Sequence, residues 1–149
     1  MKKYANDPVL KLMNTYIAHL RALYFIHQSG HWQTKGSSFY GDHLLLERLY
    51  ESAQDSSDKA AEKTIGLFGP ASLNIVMHAE IVNEIINKVN NLGILERSLA
   101  VEKEFLNISK ITYENLKKLD EMTLGLDDMI MGIHSKSEEA CYLLQQALN

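Results

Sequence analysis

The chain has 149 residues and a formal charge of −4, with 46% hydrophobic and 23% charged residues. This length and composition are typical of one globular domain with a full hydrophobic core, so we predict a single domain over residues 1–149. An acidic chain without a basic cluster is a poor ligand for nucleic acid, since non-specific binding depends on neutralising phosphates.

The first half of the chain predicts two long helices. Only two prolines and eight glycines interrupt the sequence, and alternating β patterns are absent, so we expect an all-α protein. Asp7-Pro8 is typical of an N-cap followed by proline in the first helical position, and the first helix is predicted to run to about Thr34. The second is predicted from about Ser38 to Ile65.

The second half predicts one short and two long helices. Glycines and Pro70 break the second helix, and an amphipathic helix follows over about 72–89. The next long helix covers about 95–119, with apolar residues at helical spacing, and the last runs from Thr123 to about Leu148. Four long helices with two short turns and one long crossover predict a ferritin-like four-helix bundle with an extra helix in the crossover.

One stripe of the second helix carries candidate metal ligands. With His43 at 0° on a helical wheel, Glu47 falls near 40°, Asp58 near 60° and Glu62 near 100°. At about 1.5 Å rise per residue, however, His43 and Glu62 are about 28 Å apart along the axis. One chain therefore cannot hold one ion between them.

A second copy, antiparallel about a two-fold axis, would close the site. His43 and Glu47 of one chain would then meet Asp58 and Glu62 of the other, giving two identical sites per dimer. The alternative is an ordinary polar face of an amphipathic helix, because Glu51 and Gln54 lie in the same arc.

A di-iron site inside one chain is disfavoured. Ferritin-like bundles of that type commonly use Glu-x-x-His on facing helices. No glutamate in this chain has a histidine three residues later.

The ligand stripe belongs to a longer motif. It reads His31-Trp32-x-x-x-Gly36-x-x-Phe39-x-x-x-His43-x-x-x-Glu47, followed by Asp58-x-x-x-Glu62. The motif resembles that of the Dps family, the DNA-binding proteins from starved cells or mini-ferritins. The helix order and the crossover extend this resemblance through the rest of the chain.

The resemblance implies a site and a function. In that family His31, His43, Asp58 and Glu62 would form a two-iron ferroxidase centre between two-fold-related subunits. The chain would assemble into a dodecamer, oxidise Fe(II), preferably with hydrogen peroxide rather than O2, and store ferric iron against oxidative stress. Position 47, commonly aspartate in the family, is glutamate here, so this carboxylate reaches one methylene further.

Several residues near the motif have two interpretations. Trp32 either takes part in electron transfer beside the centre or anchors the turn between the first two helices. For His27 we expect a hydrogen-bonded interface or surface histidine, with support of the metal ligands as the alternative. The remaining histidines are expected to be structural, and these are His19, His78 and His134.

Two rival functions stay open. One is a DNA-protecting nucleoid protein. The N-terminus has only two basic residues, Lys2 and Lys3, and this lack of a basic tail disfavours DNA binding. The other is a cage whose centre is inactive or filled with zinc, because nitrogen and oxygen ligands also suit zinc.

The sequence also predicts a compartment. No apolar run reaches the roughly 18 residues of a membrane span, and no cleavable leader is recognisable, so we expect a cytoplasmic protein. The single cysteine, Cys141, is expected to be a buried, inert thiol.

Overall fold

A computed structural model describes residues 7–149. Five α-helices follow one another along this part of the chain: α1 (Pro8–Gln33), α2 (Phe39–Phe68), α3 (Ile75–Val89), α4 (Ile94–Lys118) and α5 (Leu124–Leu148). The described residues contain no strand, which confirms the predicted all-α class. None of these helices is long and apolar enough to cross a bilayer.

The long helices form the predicted four-helix bundle. Helix α1 packs against α2 and α4, while α5 packs against α4 and α2, and α3 crosses outside against α1 and α4. Rings of Tyr16 and Phe105 meet at the centre, with centroids 5.3 Å apart. The predicted inner face of α2 is confirmed, because its four apolar residues are all buried: Leu46, Leu49, Ala53 and Ala60.

Local side-chain contacts set the ends of the helices. The Asp7 carboxylate accepts a hydrogen bond from the Val9 N–H at 2.9 Å, and Pro8 takes the first helical position as predicted. Gly36, with φ of +90°, makes the turn between α1 and α2 in a conformation that favours glycine.

The break after α2 differs from the prediction. Helix α2 continues through Gly66 to Phe68, and it ends where Gly69 adopts a φ of +91°. A 3₁₀ turn, Pro70–Ser72, precedes α3, which begins at Ile75 because the Asn74 side chain accepts a hydrogen bond from the Met77 N–H. Capping by asparagine therefore starts α3 three residues later than predicted.

One buried asparagine holds the crossover to α1. The Asn14 amide donates to the Ser72 carbonyl at 2.9 Å and accepts from the Asn74 N–H at 2.9 Å. The same oxygen accepts from Nε2 of His78 at 2.8 Å. These bonds attach α3 to the outside of the bundle.

Candidate metal centre

The two motif histidines lie side by side where α1 ends and α2 begins. His31 is in the last turn of α1 and His43 in the second turn of α2. Their rings stack with centroids 3.7 Å apart and an interplanar angle of 16°. The Gly36 turn is what brings these residues together, although they are twelve positions apart in sequence.

Reciprocal hydrogen bonds decide which ring nitrogen carries a proton. Nδ1 of His31 lies 2.8 Å from the His43 carbonyl, and Nδ1 of His43 lies 2.7 Å from the His31 carbonyl. A carbonyl oxygen only accepts, so both Nδ1 atoms must donate. In the neutral rings Nε2 then keeps its lone pair, which is the protonation state that a metal ligand needs.

Aromatic neighbours fix the orientation of the two imidazoles. Phe39 stacks on His43 with centroids 4.9 Å apart, and Tyr50 meets His31 edge-on at 5.3 Å. Burial first, and then the Glu47 and Glu51 carboxylates, raise the pKa of the Tyr50 phenol. Tyr50 therefore stays protonated at neutral pH.

The contact of Tyr50 with the histidine pair was not predicted from the sequence. Tyr50 follows His43 by seven residues, two helical turns, and so lies on the same face of α2. That spacing was the available signal, but an aromatic at this position is equally typical of a core residue.

The carboxylates of the motif follow the histidines along the same side of α2, with Glu47 one turn after His43 and with Asp58 and Glu62 farther along the helix. Glu47 is half-buried, whereas Asp58 and Glu62 are exposed. Because α2 is one continuous helix over Phe39–Phe68, the distance of about 28 Å between His43 and Glu62 holds in the folded chain. Within residues 7–149, no three His, Cys, Asp or Glu side chains come close enough to hold a metal ion.

Large apolar side chains surround the histidine pair at the surface. Trp32 is 69% exposed and Tyr40 is 73% exposed, and Leu44 is also exposed. Trp32 therefore does not anchor the inter-helix turn by burial within this chain. Clustered exposed aromatics beside incomplete ligands are typical of a surface that another chain covers.

His27 differs from the prediction because it is fully buried in the bundle and not at a surface. Its Nε2 lies 2.9 Å from Oε1 of Glu102, and its Nδ1 lies 2.9 Å from the Ser98 hydroxyl. The Ser137 hydroxyl donates to Oε2 of Glu102 at 2.5 Å. These hydrogen bonds give the buried imidazole and carboxyl groups polar partners, and His27 makes none to His31 or His43.

The other predicted structural groups have internal partners. His19 bonds the Thr15 carbonyl at 2.9 Å, and His134 bonds the Ser109 hydroxyl at 3.0 Å. The Cys141 thiol is buried as predicted, and burial raises its pKa to about 11. At neutral pH it stays a protonated, weakly nucleophilic thiol.

The fold and the histidine pair define a class, the ferritin-like four-helix bundles with a crossover helix. No family model matches the chain. Curated proteins do: it is 24% identical to DNA protection during starvation protein 2 of Bacillus anthracis over 151 residues, covering 97% of this chain and 99% of that protein. It is 23% identical to general stress protein 20U of Bacillus subtilis (strain 168), covering 96% and 99%.

Solved structures agree with these relatives. Dps from Microbacterium arborescens, in its high iron form, superposes with a TM-score of 0.76 at 22% identity, covering 96% of this chain and 97% of that one. Dps from Thermosynechococcus elongatus gives a TM-score of 0.78 at 17% identity, covering 95% and 90%. The predicted resemblance to the Dps family is thereby confirmed in fold and along almost the whole sequence.

Proposed function

We propose that the protein oxidises Fe(II) at centres shared between two subunits and stores the ferric product in a dodecameric cage. The observation that carries this proposal is the reciprocal bonding of His31 and His43. It leaves two Nε2 lone pairs at the surface of a subunit that cannot complete the site alone.

The ligand chemistry suits ferrous iron. The proposed ligands combine two imidazoles with the Glu47, Asp58 and Glu62 carboxylates, the last two from the partner subunit. Nitrogen and oxygen donors of this kind bind Fe(II), and few ligands per iron leave positions for an oxidant. The high iron form of the Microbacterium arborescens Dps supports iron as the metal.

Hydrogen peroxide is the proposed oxidant. Two Fe(II) ions each give one electron, the O–O bond breaks, and two protons complete two waters, leaving two Fe(III). Paired irons deliver both electrons together, so no hydroxyl radical is released. O2 is the alternative oxidant, and anaerobic iron loading followed by a pulse of either oxidant distinguishes them.

Restoring activity from two inactive variants tests the shared site. One variant carries His31→Ala and His43→Ala, and the other carries Asp58→Ala and Glu62→Ala. In a mixed dimer, one of the two sites joins intact histidines to intact carboxylates. Random co-assembly should therefore restore about a quarter of wild-type centres, since half the dimers are mixed.

The variants must be co-expressed, so that mixed dimers form while the cages assemble. Peroxide-driven iron oxidation of the purified mixed cages is the measurement. Mixed cages that oxidise iron no faster than either parent variant would exclude a shared site.

DNA protection is the second candidate, because the name of one relative refers to it. The net charge of −4 argues against it, and the N-terminal Lys2 and Lys3 lie outside the described residues. We expect any DNA complex to dissociate as salt approaches about 0.15 M. A gel-shift titration across this salt range decides between the two candidates.

A zinc-filled or inactive centre is the remaining alternative for the metal. Zinc accepts the same nitrogen and oxygen donors. Metal analysis of the purified protein shows whether zinc is bound. Iron oxidation is then measured after zinc removal: activity that appears indicates a centre inhibited by zinc, and no activity indicates an inactive centre.

A further inference from the structure

Gly30, the residue before His31, packs very closely against two neighbouring helices. A Cβ placed on it would lie 3.0 Å from Cγ2 of Ile94 on α4 and 3.1 Å from Cδ1 of Leu46 on α2. Both distances are shorter than the optimal separation of two non-bonded carbon atoms, about 3.5–4.0 Å. Any larger residue at this position therefore requires a neighbour or a helix to move.

The backbone conformation does not require glycine at this position. Within residues 7–149, the glycines with positive φ are Gly36 and Gly69, whereas Gly30 has a φ that other residues adopt in α1. Inside a helix, glycine is also less favourable than alanine. The close packing, rather than the backbone, is what a larger residue would disturb.

This packing sets the spacing of α1 and α2 at the level of the histidine pair. Gly30 directly precedes His31, and Leu46 follows His43 by three residues, about one turn along α2. Leu46 is fully buried, so the close-packed interior leaves its side chain little room to move. Added bulk at Gly30 should therefore push α1 away from α2 where the two histidines stand.

The histidine pair tolerates little movement of this kind. The two Nδ1–carbonyl distances of His31 and His43 are 2.8 Å and 2.7 Å. Since an N–H···O bond extends to about 3.2 Å, a shift of about half an ångström breaks both bonds. Because these bonds fix the tautomer and the orientation of each ring, their loss would misplace the Nε2 lone pairs.

Helix α4 holds the same turn of α1. The Arg97 guanidinium donates a hydrogen bond to the side chain of Gln33, the last residue of α1. It also lies 3.7 Å from the Cβ position of Gly30. The end of α1 is therefore held against both α2 and α4.

We propose that Gly30 is a positioning residue for His31. Its lack of a side chain lets α1 approach α2 closely enough for His31 and His43 to orient each other as metal ligands. The inference rests on the proposed function for the role of the metal, but the orientation of the two rings can be measured without one.

A graded series of substitutions tests this role. Gly30→Ala and Gly30→Val add increasing bulk at the contact. Gly132→Ala and Gly132→Val are the matched controls, because Gly132 is an exposed glycine of α5 and a Cβ on it would meet nothing within 4 Å. Ile130→Ala, a change in the apolar core, controls for general destabilisation. Light scattering compares the assembly of every variant with that of the wild type.

Co(II) binding to the metal-free protein is the first measurement, because the visible absorption of Co(II) reports its ligands and no oxidation is needed. We expect the affinity to fall about threefold in Gly30→Ala and at least about tenfold in Gly30→Val. The Gly132 variants and Ile130→Ala should stay within about twofold of the wild type.

Deuterium exchange at the ring C2–H of His31, followed by mass spectrometry of the metal-free protein, is the second measurement. Its rate depends on the protonation and exposure of the imidazole. Loss of the reciprocal bonds should accelerate this exchange at least about threefold in Gly30→Val, with no change in the controls.

Unchanged His31 exchange in Gly30→Val would overturn the inference, as would a loss of Co(II) affinity no larger than in Gly132→Val or Ile130→Ala. If Gly30→Val fails to assemble, Gly30→Ala decides by the same comparisons. A wild type that binds no Co(II) would reject the proposed metal centre, and His31 exchange alone would then decide whether Gly30 orients the ring.

Discussion

At the scale of single residues, the ligands proposed for iron sit on the surface and carry little of the fold. Asp58 is exposed and points away from the core of α2. His31 is only half-buried and bonds through its Nδ1 atom to a backbone carbonyl. Changes at these positions should therefore affect chemistry more than assembly.

We predict that Asp58→Ala or His31→Ala abolishes fast peroxide-driven iron oxidation while the cage still assembles. Each change removes a ligand without opening a cavity in the bundle. Stopped-flow absorbance of ferric iron measures the rate, and light scattering verifies assembly. Glu114→Ala, an exposed carboxylate on α4, is the control. Wild-type rates in both ligand variants would place the chemistry elsewhere.

The buried pair of His27 and Glu102, in contrast, should matter for stability. Glu102→Ala leaves Nε2 of a fully buried imidazole without its hydrogen-bond partner, and an unsatisfied buried polar group costs about 1–3 kcal/mol. Arg48→Ala removes an exposed pair with Glu139 and should cost at most about 1 kcal/mol.

Thermal midpoints at one fixed subunit concentration compare the two variants, because assembly makes the midpoint depend on concentration. Equal shifts in the two variants would mean that the His27–Glu102 pair is no more important than a surface contact.

At the scale of elements, α3 depends on the protonation of one histidine. Nε2 of His78 donates to Asn14, and Nδ1 accepts from the Arg21 guanidinium at 3.1 Å, so the ring must be neutral. Burial first, and then the Arg21 charge, lower the pKa of His78 to about 4.

We predict that this contact is lost in acid. The pKa of His78 is lower in the folded state than its usual 6.5, so the unfolded chain binds the proton first as pH falls. The stabilisation is complete above about pH 6.5 and disappears as pH falls toward 4, amounting to at most about 3 kcal/mol per subunit.

Thermal midpoints measured between pH 7 and pH 4 reveal this dependence. His78→Gln should flatten the decline, whereas His134→Gln, at a half-buried histidine bonded to Ser109, should leave it unchanged. An identical decline in His78→Gln and the wild type would assign the acid sensitivity to other groups.

At the scale of the whole molecule, the exposed aromatic surface beside the histidine pair favours assembly. Trp32 and Tyr40 are too exposed in one chain for residues of their size beside an incomplete site. The proposed centre exists only where two subunits meet, so activity and oligomeric state are linked.

We predict a native mass near twelve subunits, about 200 kDa for chains of 16.9 kDa. Light scattering coupled to size exclusion measures it at physiological salt. A stable monomer under these conditions would remove both the cage and the shared centre.

Helix positions could be predicted from the sequence because they depend on local signals. Asp7-Pro8 and Thr123 are short-range caps, and the apolar spacing on α2 selected a face that is buried in the structure. The end of α2 was misplaced because Gly66 is tolerated within a helix, whereas Gly69 adopts the positive φ that ends it.

The ligand residue types and their spacing on α2 also predicted a shared centre from the sequence. The helical rise alone separates His43 from Glu62 by too great a distance for one chain to hold one ion between them. Only the tertiary structure decided what surrounds these residues. The reciprocal bonds of His31 and His43, the burial of His27 against Glu102, and the bonds of Asn14 to the crossover all join residues from different parts of the chain. Such contacts depend on how helices pack, and local sequence patterns do not encode that packing.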